Sequence, residues 1–187
     1  MHTVELLVDP VTEERVVGVW RALGAAGLPS QASHRHPTNR PHLTLATSAE
    51  PPPGGWPALG PALSALPVRL RLEDVVRFGG RTRVLAWRVV PNAELTAVQR
   101  QVWEALHSDD DNDNDGDSGS YTYRNPLHHP DNWTPHLTLG RSRSTAATWP
   151  DELLPAQLLE PWEGTFTQAR SYDTERRTVE PLYRPRR

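Results

Sequence analysis

The chain of 187 residues has no cysteine, and all 20 of its basic residues are arginine, so it has no lysine either. Without cysteine there is no disulfide framework, no thiolate nucleophile and no thiolate-bound metal. Without lysine there is no P-loop lysine, no Schiff base and no lysine adenylate. Long hydrophobic runs are also missing. No stretch approaches the roughly 20 apolar residues of a membrane-crossing helix, and mean hydropathy is −0.62. The opening MHTVELLVDP lacks the basic-then-apolar order of a secretory signal. A cytoplasmic protein without a membrane partner is expected.

Charge of one sign is scarce as well. The formal net charge is −3, and the stretch DDDNDNDGD at 109–117 alone holds six aspartates, leaving the rest of the chain at +3. That excess is too small for the dense basic stripe of a duplex-DNA binder and suits a short anionic ligand better. Asp111, Asp113, Asp115 and Gly116 are spaced like the first half of a calcium loop, but its twelfth place holds Thr122 rather than a bidentate glutamate. A solvated acidic insertion at 108–120 is the stronger reading, and calcium binding the weaker.

What is present is patterned. TVELLV at 3–8 reads as a buried strand, and Asp9-Pro10 supplies a cap and a first-turn proline for a helix to about Gly27, with Val16, Trp20 and Leu23 inward. PPPGGWP at 51–57 breaks the chain before a short helix near Ala58–Leu66. VRLRLEDVVRF at 68–78 and RVLAWRVV at 83–90 flank a GGRT turn and predict a hairpin. Leu95, Val98, Val102 and Leu106 form the apolar stripe of a helix over 92–107. A further helix is expected near Ala146–Leu159, then strands at 165–172 and 178–183. The 19 prolines and 12 glycines stay below the share that marks a disordered chain.

One five-residue string, PHLTL, occurs twice, with its histidines at 42 and 136. Side chains alternate across a strand, so Leu43, Leu45, Leu137 and Leu139 anchor in the core. His42 with Thr44, and His136 with Thr138, then project from the other face. If the two strands meet, two imidazoles and two hydroxyls converge. Such a group suits phosphodiester displacement. Imidazole titrates near neutrality and serves as base or acid, while hydroxyls donate to non-bridging phosphate oxygens where charge grows. A lone histidine in a strand is usually just packed. Duplication of an old strand would explain the leucines, but not the retention of both polar pairs.

The paired motifs resemble those of the two-histidine phosphoesterases, in particular the 2′-5′ RNA ligase-like branch, or RNA 2′,3′-cyclic phosphodiesterases. The resemblance spans the opening strand and helix, PHLTL, FGGRTRVLAWRVV, a helix and PHLTLGR. It implies an α+β fold: one two-lobed domain over 1–187, its pseudo-symmetric lobes of antiparallel sheet carrying helices on their outer faces and enclosing a central cleft. It further implies hydrolysis of 2′,3′-cyclic phosphate ends of RNA or nucleotides to 2′-phosphates without metal or cofactor, with 2′-5′ ligation as a reverse reaction. His136 would activate water and His42 would protonate the departing ribose oxygen. Thr44 and Thr138 would hold the phosphate, and Arg141, two residues beyond Leu139, matches a basic position used for substrate. A monomer is the default. An inactive nucleotide-binding module of the same fold is the rival, with a calcium protein behind it.

Three other groups bear on a site. His34 with His36, and His128 with His129 and Asp131, read as loop histidines rather than metal ligands, though they could border a cleft. Arg69, Arg71, Arg77, Arg81, Arg83 and Arg88 form either a solvated sheet face or a basic wall for an RNA end. Of the seven tryptophans, Trp87 or Trp133 could stack a base, while most belong in the core.

Overall fold

In the computed structural model, residues 1–107, 125–144 and 149–184 are described. The acidic stretch 108–120 and its calcium-loop spacing lie outside them. Seven strands form one antiparallel sheet: β1 (His2–Val8), β2 (His42–Ser48), β3 (Val68–Phe78), β4 (Arg83–Val89), β5 (His136–Ser142), β6 (Trp162–Asp173) and β7 (Thr178–Tyr183). Their order is β2-β1-β6-β3-β4-β5, with β7 also on β6. The long β6 is therefore common property. Its first half pairs with β3, its second half with β7, and β1 runs along its other side. The two lobes expected from the duplicated motif are two halves of one sheet. Its far ends, β2 and β5, come back into contact with each other.

Helices cover the apolar face. Asp9 caps α1 (Pro10–Ala25), accepting from the Thr12 amide at 2.9 Å, and Val16, Val19, Trp20 and Leu23 point inward. Asp9 also accepts from the Thr165 amide at 2.7 Å. Burial pushes its carboxyl up, but these amide donors outweigh it and leave the group below its ordinary value. Gly164 beside it is required, because a Cβ there would overlap the Thr12 hydroxyl. After the single turn of α2 (Gly60–Leu63), α3 (Ala93–His107) buries Leu95, Val98, Val102 and Leu106 as its spacing predicts.

The connectivity is crossed. In the unit β1-α1-β2 the helix packs on β5 and β6. In the matching unit β4-α3-β5 the helix packs on β2 and β3. Each half thus backs the other half's motif strand.

The expected helix near Ala146–Leu159 does not form. Among the described residues of that span there are only two short 3₁₀ turns, Asp151–Leu153 and Ala156–Leu158. Each follows a proline, Pro150 and Pro155. Pro155 would remove an amide donor and clash with the preceding turn in the middle of any longer helix.

Candidate active site

The two copies of HLTL occupy equivalent places, as the edge strands β2 and β5 of the two halves. The equivalence extends to the backbone. On β2, Thr44 pairs with Glu5 and Ala46 with Val4, so Leu45 is an extra residue. On β5, Thr138 pairs with Ala86 and Gly140 with Leu85, so Leu139 is the extra one. A β-bulge therefore falls on the second leucine of both motifs. Bulges bend a strand and re-aim its side chains.

A carbonyl beside such a bulge needs a donor from elsewhere. The Thr138 carbonyl accepts from the indole of Trp20 on α1 at 3.1 Å, and the Thr44 carbonyl accepts from the indole of Trp133 at 3.0 Å. Each half supplies the latch for the other's motif. Both imidazoles are fixed in one manner too. His42 Nδ1 lies 2.7 Å from the Arg40 carbonyl, and His136 Nδ1 lies 2.7 Å from the Thr134 carbonyl. A carbonyl only accepts, so Nδ1 carries the proton in both rings and Nε2 is left for chemistry.

His42, Thr44, Thr138 and Arg141 line one cleft of about 630 Å³. His136 is not among the lining residues; it is half-buried, its ring lies 4.7 Å from that of Phe78, and it is near enough to His42 and Arg141 to feel their charges. Burial lowers its pKa, the Thr134 carbonyl works against that, and the positive charges of Arg141 and His42 lower it further. The cleft thus gathers four of the five residues that the motif and the resemblance single out, with the fifth, His136, within electrostatic reach of two of them. Strict alternation would have sent Arg141 to the leucine face. The bulge at Leu139 resets the count and brings it to the cleft, near enough to Glu5 to feel that charge.

The other candidates sort differently. His34 and His36 do border the cleft, carried by the loop between α1 and β2. That loop lies tight on β5: the Pro29 carbonyl accepts from the Trp149 indole at 2.8 Å and occupies the space where a Cβ of residue 140 would fall. Gly140 is glycine for this reason. His128 is not among the lining residues; it contacts the Thr47 hydroxyl at 3.2 Å, and burial together with the charge of His136 pushes its pKa down to about 4. Among the described residues no three histidine or acidic side chains cluster as a metal site.

None of the six arginines from Arg69 to Arg88 lines the cleft. Arg71 pairs with Glu73 and Glu163, Arg77 with Asp151, and Arg88 with Asp74 at 2.7 Å, so the solvated-face reading holds there. Trp87 is fully buried and offers no stacking face, while Trp133 serves as a latch.

Sequence reasoning missed two residues. Glu5, 3% exposed, accepts from Arg170 Nε at 2.8 Å and from the Thr3 hydroxyl at 2.7 Å, and its Oε1 lies 3.6 Å from His42 Nε2. Burial raises the Glu5 pKa, but His42, Arg170 and Thr3 outweigh it, and the group stays below the ordinary carboxylate value. The only signal was a glutamate inside the apolar run TVELLV.

A cleft with one tautomer-fixed imidazole, two hydroxyls and an arginine, and a second such imidazole within electrostatic reach, has the parts for acid/base displacement at phosphorus. The family model described as the 2′-5′ RNA ligase superfamily matches residues 8–178, and the chain belongs to this superfamily of two-histidine phosphoesterases. Among solved structures it is similar to Usb1 of Kluyveromyces marxianus at 13% identity, covering 97% of this chain and 96% of that one with a TM-score of 0.47. No curated protein matches.

Proposed function

We propose that this protein is a metal-independent phosphodiesterase that opens 2′,3′-cyclic phosphate ends of RNA or of nucleotides, leaving a 2′-phosphate. Neutral His136 takes a proton from water as the water oxygen bonds to phosphorus. The P–O3′ bond breaks, and His42 gives its Nε2 proton to the departing ribose oxygen. Thr44, Thr138 and Arg141 hold the non-bridging oxygens as charge builds on them. The bond formed and the bond broken lie in line, so base and acid must stand on opposite sides of the phosphate. Two motif strands related by internal duplication suit that need.

The observation that carries this reading is the double repetition. Motif, bulge, carbonyl-bound imidazole and indole latch all recur, and a purely structural strand would need only the leucines. Membership of the superfamily supports phosphoesterase or ligase-like chemistry. The test is turnover of a 2′,3′-cyclic nucleotide and of an RNA ending in a cyclic phosphate, with and without EDTA. Turnover that survives chelation and yields the 2′-phosphate is expected. Binding without turnover would turn the protein into a nucleotide-binding module, and loss of activity with EDTA would overturn metal independence.

A further inference from the structure

We infer that Glu5 is a positioning residue that makes the two histidines unequal and marks His42, the ring beside it, as the proton donor. The inference rests on the hydrolase reading above. A buried carboxylate beside an anion-binding cleft is a liability twice over, since desolvating the charge is costly and it repels phosphate. Something has to outweigh that. Arg170 answers part of the cost, because its Nε binds Glu5 Oε2 at 2.8 Å. The other oxygen, Oε1, accepts from Thr3 and faces His42 Nε2 at 3.6 Å.

The distance matters. At 3.6 Å the carboxylate is too far to take a direct hydrogen bond from Nε2, so it does not hold back the proton that His42 must release. It is near enough to favour the imidazolium by charge. Thr3 and Arg170 keep it at that separation. The charged and titratable groups around His42 are Glu5 from β1, Arg170 and Tyr172 from β6, Arg177 from the turn after it, and His136 and Arg141 from β5 with Arg143 just beyond, with His34 and His36 on the cleft border. Among these described residues Glu5 is the one acid.

The pseudo-symmetric half removes the alternative that any lobe of this shape needs the acid. The cross-strand partner of Thr44 is Glu5, and the cross-strand partner of Thr138 is Ala86. His136 therefore has a methyl group and the Phe78 ring where His42 has a carboxylate. The charges acting on it, Arg141 and His42, are both positive. Two rings built alike thus differ in one neighbouring acid, through one substitution at matching places.

The experiment compares wild type with Glu5→Gln and Glu5→Asp. In Glu5→Gln, kcat at mildly alkaline pH should drop about tenfold, the alkaline limb of the pH–rate profile should move to lower pH, and KM should hold or fall. Glu5→Asp keeps the charge on a shorter arm and should recover most of the rate. Ring-nitrogen NMR of the free proteins gives a readout independent of activity. The doubly protonated ring of His42 should give way at lower pH in Glu5→Gln, with His136 unmoved. Equal losses in both variants with an unmoved limb would make Glu5 a packing residue, and an unchanged His42 signal would overturn the inference. Should Glu5→Gln fail to fold, the same limb shift, smaller, must appear in Glu5→Asp, and its absence overturns the inference. Failure of the hydrolase reading looks different: the wild type itself would not turn over.

Discussion

The two halves agree in everything that holds a histidine still and disagree in everything that charges it. Both motifs have a bulge at the second leucine, an Nδ1–carbonyl bond two residues back, and an indole on the threonine carbonyl. Around that common frame, Glu5 is matched in the other half by Ala86, Thr47 by Arg141 and Ala46 by Gly140. On the proposed mechanism the duplicated geometry serves a displacement at phosphorus that needs two proton-handling groups aimed alike. The divergent electrostatics then serve the need for one group to accept while the other donates.

The comparison breaks most visibly at the histidines. His42→Ala and His136→Ala should each lower cyclic-phosphate turnover by roughly 10²–10⁴-fold. The double variant should be little worse than either single one, because the two groups act as a unit in one transition state. Additive losses in single-turnover rates would show that they do not share a step. Next come the hydroxyls. Thr44→Val and Thr138→Val should each cost about 1.5–3 kcal/mol of transition-state binding, the worth of a hydrogen bond to a charged group, with the loss falling on kcat. A loss confined to KM would place the phosphate elsewhere.

Stability sharpens the same contrast. Gly140→Ala drives a methyl group into the Pro29 carbonyl and should cost about 1–3 kcal/mol in denaturant unfolding. Ala46→Gly, the matching change in the other motif, should cost only about 0.5–1 kcal/mol. Trp20→Phe strips a buried carbonyl of its donor at about 1–3 kcal/mol, and Trp133→Phe, half-buried, should cost less.

A separate effect is with pH. The pKa values of His128 and His136 are depressed in the fold, so the unfolded chain binds more protons below the ordinary value of 6.5. Their contribution is complete above that pH. For His128 it falls away down to about pH 4. Glu5 and Asp9, also depressed, add a loss beginning lower, below their ordinary values of 4.5 and 3.8. Urea midpoints measured from pH 7.5 to 4 should therefore decline before the carboxylates titrate. In His128→Gln the early part of that decline should shrink.

Much of this was legible in the chain. The repeated string, the Asp9-Pro10 cap, the hairpin at 68–90 and the stripe of α3 are local signals, written within a few residues of where they act. The leucines of the motifs are as buried as alternation requires. The illegible parts depend on partners distant in the chain. Nothing in TVELLV says that its glutamate will meet an arginine 165 residues later. A polar residue in a strand ordinarily reads as the solvent side, and what buries this one on the face opposite Val4 and Leu6 is Arg170 from β6 and His42 from β2. Gly140 and the bulges were hidden for the same reason, since each is defined by a chain crossing rather than by its neighbours. The helix expected over Ala146–Leu159 shows the converse error, where apolar spacing was weighed above Pro150 and Pro155.

The strand that joins the halves, β6, begins at Trp162. On the ribosome, everything before it emerges while the inner edges of β1 and β3 still lack their neighbour. Those open edges are templates for wrong pairing. Closure of the sheet, and with it the meeting of the two motif strands, has to wait until β6 has followed both of them out. A nascent chain stalled short of that strand should be protease-sensitive throughout, however complete its two histidine motifs.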